Sequence, residues 1–317
     1  IYHADMYLCP GAVDAIEKYI KPKTIVSLTR IEPPLHPPGP EKILQDFGIE
    51  PEEFKEEELL QFLYRNKKLL GRVTEGIFAP WAFYKKDFQE IGGHDELYAP
   101  QSKEDSDIFN RFQLNGVHFV QTWQGCVYHM TCRGSRFADG AQRNPDGNVF
   151  MKNRETDEWL KQNQKATREF IRKWGHFVKH NEYLKPIVPP KYDVGFMIKN
   201  PNLQLLEVLE PWCSTVYCRE CMIEGSTAAG RVVDYIEEEN TSFNLHDKFK
   251  PFDNEKQNKI LVEIDGKTLT QQDMNYIQQL SEIIQDSGEV GSFDLGNLYI
   301  TIISLETFEK ELIVCKS

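Results

Sequence analysis

The run Glu104-Asp105-Ser106-Asp107 places three carboxylates directly ahead of Ile108, Phe109 and Phe112, whose spacing predicts a helix over residues 105–112. A carboxylate there can accept a proton, hold a hydroxyl group or ligate a hard cation. Upstream, a turn on Gly92-Gly93 follows an aromatic-rich apolar run at residues 77–84 that has the length of a strand. Acids at a helix start are also favoured by the macrodipole, so capping alone accounts for Glu104 and Asp105 on spacing. Two further groups follow predicted strand ends: Asp5 and His129. A carboxylate oxygen with an imidazole nitrogen suits Mn2+ or Mg2+ with open positions for phosphate oxygens. Taken singly, an aspartate after a strand is a turn residue and a lone histidine a satisfied polar group.

The elements that must carry these groups follow from periodicity and breakers. Residues 11–20 carry a helical apolar stripe and residues 23–31 read as a strand, while the proline run at residues 33–40 excludes both ladder and helix. Helices are expected over residues 41–47 and 51–68, as an insertion lying over a site, and short strands over 117–120 and 125–128. Residues 138–149 are Gly/Asn/Asp-rich and expected to be mobile; a long helix is expected over 153–180. Prolines between residues 183 and 190 mark a boundary. Beyond it, strands at 192–198, 260–264 and 298–303 and a helix at 270–286 predict a small α/β unit. The expected organisation is therefore α/β throughout, with one domain over residues 1–182 and a second, of unknown role, over 191–317.

A chain of 317 residues with 40% hydrophobic content suffices for about two packed domains. The net charge of −12, without a Lys/Arg-rich block, argues against a nucleic-acid partner or an anionic membrane surface. No apolar stretch reaches the roughly 18–20 residues of a transmembrane segment, and no signal pattern opens the chain, so a soluble, cytoplasmic protein is expected. The seven cysteines are irregularly spaced and read as reduced thiols. Cys213, Cys218 and Cys221 lack a regularly spaced fourth ligand and read as free thiols in place of a zinc site.

His3-Ala4-Asp5-Met6 resembles the Asp-x-Asp metal motif of the GT-A glycosyltransferases, with His3 in place of the first acid and Asp5 in place of the last. Lys85-Lys86-Asp87-Phe88, Gly92-Gly93-His94-Asp95 and Glu104-Asp105-Ser106-Asp107 resemble, in order, the Arg/Lys-x-x-Phe helix, Gly-Gly-x-Asp turn and Glu-Asp-x-Asp helix of family 2 and galactosyltransferase-type members. The resemblance covers residues 1–136. It implies a partial GT-A mixed sheet with flanking helices and metal-dependent, inverting transfer of a sugar from a nucleotide-diphosphate sugar to a carbohydrate or glycoconjugate acceptor. It also implies roles: Asp5 and His129 as ligands of Mn2+ or Mg2+, Asp105 as the base for the acceptor hydroxyl, Glu104 as its holder, and Gly92, Gly93 and Asp107 as parts of the binding motif. Trp81, Phe83 and Trp123 are candidates to stack on sugar faces. Arg133 and Arg136 are candidates to reach diphosphate oxygens. The chain opens without Met on Ile1-Tyr2-His3, as if at the end of a buried strand, and the family's first strand and nucleobase contacts lie ahead of that point. A preceding segment is therefore expected. The alternative is a carbohydrate-binding or structural protein that keeps part of the fold without turnover.

Overall fold

The computed structural model describes residues 1–66, 71–131, 140–151, 155–219 and 227–315. It is α/β, organised by two six-stranded sheets of mixed strand orientation. The first sheet contains β1 (Met6–Leu8), β2 (Thr24–Glu32), β3 (Lys42–Leu44), β4 (Val73–Thr74), β5 (Trp81–Ala82) and β6 (His118–His129). Its main order is β1-β6-β2-β3, with β4 also paired to β6 and β5 to β2. Strand β2 is buried along its whole length, which fits its run of β-branched and apolar residues and its parallel neighbours β6 and β3. Helix α1 (Ala12–Tyr19) lies against β6 at Gly125, where an added Cβ would stand 2.7 Å from Leu28 Cδ2 and 2.8 Å from Ala15 Cβ. Any larger residue would push the helix off the sheet.

Several expectations are corrected here. Residues 42–44 form strand β3, where a helix was expected, because pairing with the buried β2 supplies ladder bonds that outweigh a weak local preference. The two short strands expected at 117–120 and 125–128 are one strand, β6. Leu28 pairs with Thr122 but Thr29 with Cys126, so Trp123, Gln124 and Gly125 bulge out of the ladder. Of the apolar run at 77–84, only Trp81–Ala82 is strand; Pro80 has no N–H to donate. The helix expected over 51–68 is a short 3-10 turn at Pro51–Glu53 followed by α2 (Glu56–Arg65). The described part of the Gly-rich segment is a hairpin, β7 (Ala141–Arg143) with β8 (Val149–Met151), and Arg143 ties it to Asp46 and Glu53.

Helices α3 (Lys85–Glu90), α4 (Glu104–Leu114) and α5 (Asp157–Trp174) complete the first unit. Helix α5 is capped by the Thr156 side chain and stopped by Gly175 in the left-handed region at φ 79°, which shortens it relative to the expected 153–180. It also joins the two units. Phe170 and Trp174 pack against Tyr98, whereas Ile171 enters the core of the second sheet. Burying each such side chain contributes about 1.5–3 kcal/mol. Beside them, buried Arg172 meets Glu210 (Nη2–Oε2, 2.6 Å), Glu239 and the Tyr235 hydroxyl (3.0 Å).

The second unit contains β9 (Val194–Lys199), α6 (Leu203–Leu209), β10 (Thr215–Cys218), α7 (Thr227–Glu239), α8 (Leu245–Lys248), β11 (Phe249–Lys250), β12 (Ile260–Asp265), α9 (Gln271–Gln278), α10 (Leu280–Ser287), β13 (Gly291–Leu295) and β14 (Leu298–Ile302). Strand order is β11-β10-β9-β12-β14-β13, parallel through β12 and antiparallel beyond it. The single helix expected at 270–286 is two, separated at Gln279. The thiol expectation holds for Cys9, Cys126, Cys213 and Cys315, but Cys218 is disulfide-bonded, to a partner outside the described residues, and is not a free thiol. Among the described residues, no helix is long and apolar enough to cross a membrane.

Candidate functional site

Antiparallel pairing of β1 with β6 sets Met6 opposite His129, and the Met130 N–H donates to the Asp5 carbonyl at 2.9 Å. That register brings residue 5 to residue 129 across the whole first unit. His129 Nε2 lies 3.5 Å from Asp5 Oδ2. His3, one turn earlier, joins them, and each of the three offers a ligand atom within 4.8 Å of the others. Two imidazole nitrogens and one carboxylate oxygen make a half-buried donor set that fits a divalent transition ion with open positions for other oxygens.

The bulge in β6 has a direct consequence for this cluster. After it, Ile31 pairs with Tyr128, so Glu32 at the end of β2 stands beside His129. Glu32 Oε2 lies 3.0 Å from His129 Nδ1, the arrangement that fixes a ligating imidazole's tautomer and turns its Nε2 outward. Burial raises the Glu32 pKa, but the His129 bond, Arg30 and Lys42 outweigh it and hold the carboxyl down to about 2. Burial alone would lower the His129 pKa; its bonds to Asp5 and Glu32 reverse this and keep it above its ordinary value. Arg30 lies over the Phe78 ring at 3.8 Å, and the same ring meets His3 at a centroid distance of 6.4 Å.

Phe78 also lines a cleft of about 180 Å³ that holds Asp105. Asp105 sits in the first turn of α4, but the N-cap is Lys103, and no side chain caps that helix. Ser102 and Lys103 both adopt positive φ, 84° and 73°, a costly conformation for residues with a Cβ. Asn163 of α5 holds them, accepting from Ser102 Oγ at 2.7 Å and from Lys103 Nζ at 3.1 Å. The Asp105 carboxylate makes no hydrogen bond or ion pair among the described residues. Burial, and secondly the neighbouring Glu104, push its pKa up to about 6. An unpaired carboxylate with that affinity can take a proton near neutral pH. One oxygen of Glu104, Oε2, is likewise buried without a partner.

The other predicted residues fall elsewhere. Asp107 is 0% exposed and saturated: Arg111 Nε (2.8 Å), Lys173 Nζ (2.6 Å) and Trp174 Nε1 (2.9 Å) converge on it, so it anchors α4 to α5 and has no oxygen to offer a ligand. Asp95, Asp107 and Cys315 also cluster, but Lys173 bridges the two acids and supplies the positive charge an ion would bring. Trp81 is 3% exposed, its edges against Phe109 and Phe112, and belongs to the core, with no face open for sugar stacking. Trp123 is buried as well. Gly92 and Gly93 form the turn after α3 at φ 77° and 76°, where a side chain would be strained. Arg133 and Arg136 lie outside the described residues.

Reasoning from sequence missed His3 as a ligand, Glu32 and Phe78. The signal for Glu32 is an acid closing a strand directly ahead of the proline run; for His3 it is the His-x-Asp spacing. Comparison with known protein families, with curated proteins and with solved structures returns no match.

Proposed function

We propose that this chain catalyses metal-dependent transfer of a sugar from a nucleotide-diphosphate sugar to an acceptor hydroxyl, on a GT-A-like unit spanning residues 1–182. The observation that carries the reading is the convergence of His3, Asp5 and His129 at the end of the β1–β6 pair, one aromatic ring from the cleft of Asp105. Each part matches a chemical need. His3, Asp5 and His129 would hold Mn2+ or Mg2+, which when bound neutralises charge on the diphosphate leaving group. Glu32 keeps the His129 imidazole turned toward it. Asp105 takes the proton of the acceptor hydroxyl as that oxygen bonds to the sugar's anomeric carbon. The carbon–phosphate oxygen bond breaks on the opposite side, and the nucleoside diphosphate leaves with the electron pair. Attack opposite to departure inverts the anomeric configuration. Glu104, next to Asp105 in the first turn of α4, would hold the acceptor hydroxyl.

The test is release of nucleoside diphosphate from uridine and guanosine diphospho-sugars with Mn2+, and its loss in His129→Ala. Release that is metal-independent, or that survives this substitution, would remove the trio from the reaction. Absence of turnover for every donor, with sugar binding retained, would favour a binding protein on the same frame.

A further inference from the structure

A second hollow lies wholly outside residues 1–136, where α5 meets the helices of the second unit. It is a groove of about 460 Å³, within the roughly 300–1,000 Å³ of small-molecule sites, and seams between helices and domains are where such sites form. Its floor is apolar, built from Ile171 of α5, Trp212 of the 3-10 turn Glu210–Trp212 and Met274 of α9. At its lip, Phe177 and Val208 are 39% and 46% exposed. The Phe177 and Trp212 rings pack edge to face at a centroid distance of 4.8 Å, which holds that lip in place. Exposed apolar residues scattered singly are ordinary; here two of them border a preformed hollow with an apolar floor. The carbon stem of a ligand would take that surface out of water.

Charge decides what the stem carries. Three carboxylates line the groove, Glu207, Glu238 and Glu239, against one guanidinium, Arg168. Arg168 and Arg172 both pair with Glu239 and neutralise it. Glu207 and Glu238 have no ion pair among the described residues. They stand in the last turns of α6 and α7, where the macrodipole already favours a cation, and neither turn holds a basic residue. Lys165, the cation reaching the end of α7, donates to the Asn240 carbonyl one residue beyond it. An anionic ligand is therefore disfavoured. A single cation would answer only one of two acids that come from two different helices.

We propose that this groove binds a linear aliphatic diamine, its methylene stem against Trp212, Phe177 and Val208 and its two ammonium groups at Glu207 and Glu238. The site is independent of the sugar-transfer reading and stands or falls without it.

The test is ligand-observed NMR titration of the full chain at low salt with hexamethylenediamine, hexylamine and hexanol. Proteins compared are wild type, Val208→Lys, Glu207→Gln, Glu238→Gln and, as loss of an exposed acid outside the groove, Glu289→Gln. One saturable site is expected, with affinity rising from hexanol to hexylamine to the diamine by about two- to fivefold per ammonium, the range of an exposed ion pair. Glu207→Gln and Glu238→Gln should each cost the diamine about that factor and leave hexanol unchanged. Val208→Lys, which sets a cation over the apolar floor from an exposed position, should abolish diamine binding; the two glutamine variants carry the test if it misfolds. Glu289→Gln should bind as wild type does. Diamine bound no tighter than hexanol or hexylamine, or diamine binding that survives Val208→Lys, would overturn the proposal. So would a loss in Glu289→Gln equal to that in Glu207→Gln, the mark of attraction to net charge alone.

Discussion

Replacing Asp105 by Asn should make the protein more stable and less active at once. The substitution keeps the shape of the side chain and removes its titration. In the folded chain the carboxyl is raised from its ordinary 3.8 to about 6, first by burial and then by Glu104. The unfolded chain therefore gives up this proton first as pH rises. Stability is unaffected below about pH 4, is lost as pH climbs to about 6, and stays lost above it. At about 1.4 kcal/mol per unit, the ionised carboxylate costs the fold up to about 3 kcal/mol at pH 7.5. Asp105→Asn should recover most of that at pH 7.5 and almost none at pH 4, measured by urea unfolding at both values. Transfer should fall by about 10²–10⁴, the usual contribution of a positioned base. An asparagine variant that is no more stable than wild type at pH 7.5, or that gains equally at pH 4, would refute the desolvation argument; unchanged turnover would remove Asp105 from the base role.

Two other substitutions test the supports of the site. Glu32→Gln should weaken Mn2+ binding by about 10- to 100-fold without touching the ion, because it loosens the His129 ring it orients; affinity equal to wild type would make Glu32 a simple ion-pair partner of Lys42. Arg172→Met should lower unfolding free energy by about 3 kcal/mol, since it removes the cation that buried Glu210 and Glu239 share and leaves Glu210 to Lys248 and Glu239 to the more exposed Arg168. Urea midpoints equal to wild type would show that the network does not tie α5 to the second unit.

Much of the frame was legible because it is written in local periodicity. The stripe of α1, the β-branched run of β2 and the acid-led start of α4 each appear close to where spacing puts them. What failed depends on partners distant in sequence. Residues 42–44 are strand because β2 offers a ladder, and no window around them contains that fact. The site divides the same way. Asp5, His129 and Asp105 are residues of the right type at element ends. His3 looked like the loss of an acid, but β1–β6 pairing turns its ring onto His129 at a centroid distance of 6.1 Å. Asp107 looked like the second half of an acidic motif, yet Arg111, Lys173 and Trp174, two of them from α5, consume it. Trp81 is aromatic beside a strand in either reading, and only packing decides that it faces Phe109.

On the proposed reading, His3, Asp5 and His129 form one metal site that presents a diphosphate. Its most direct measurement is an electron paramagnetic resonance titration of Mn2+ with the wild-type chain and with His3→Ala, Asp5→Asn and His129→Ala, each with and without uridine or guanosine diphosphate. A saturable site of one Mn2+ per chain is expected in the wild type, tighter with one of the diphosphates and weakened in all three variants. Because two of the three ligands are imidazoles, Mg2+ should compete poorly. Mn2+ bound equally by wild type and the three variants, or by none of them, would contradict it.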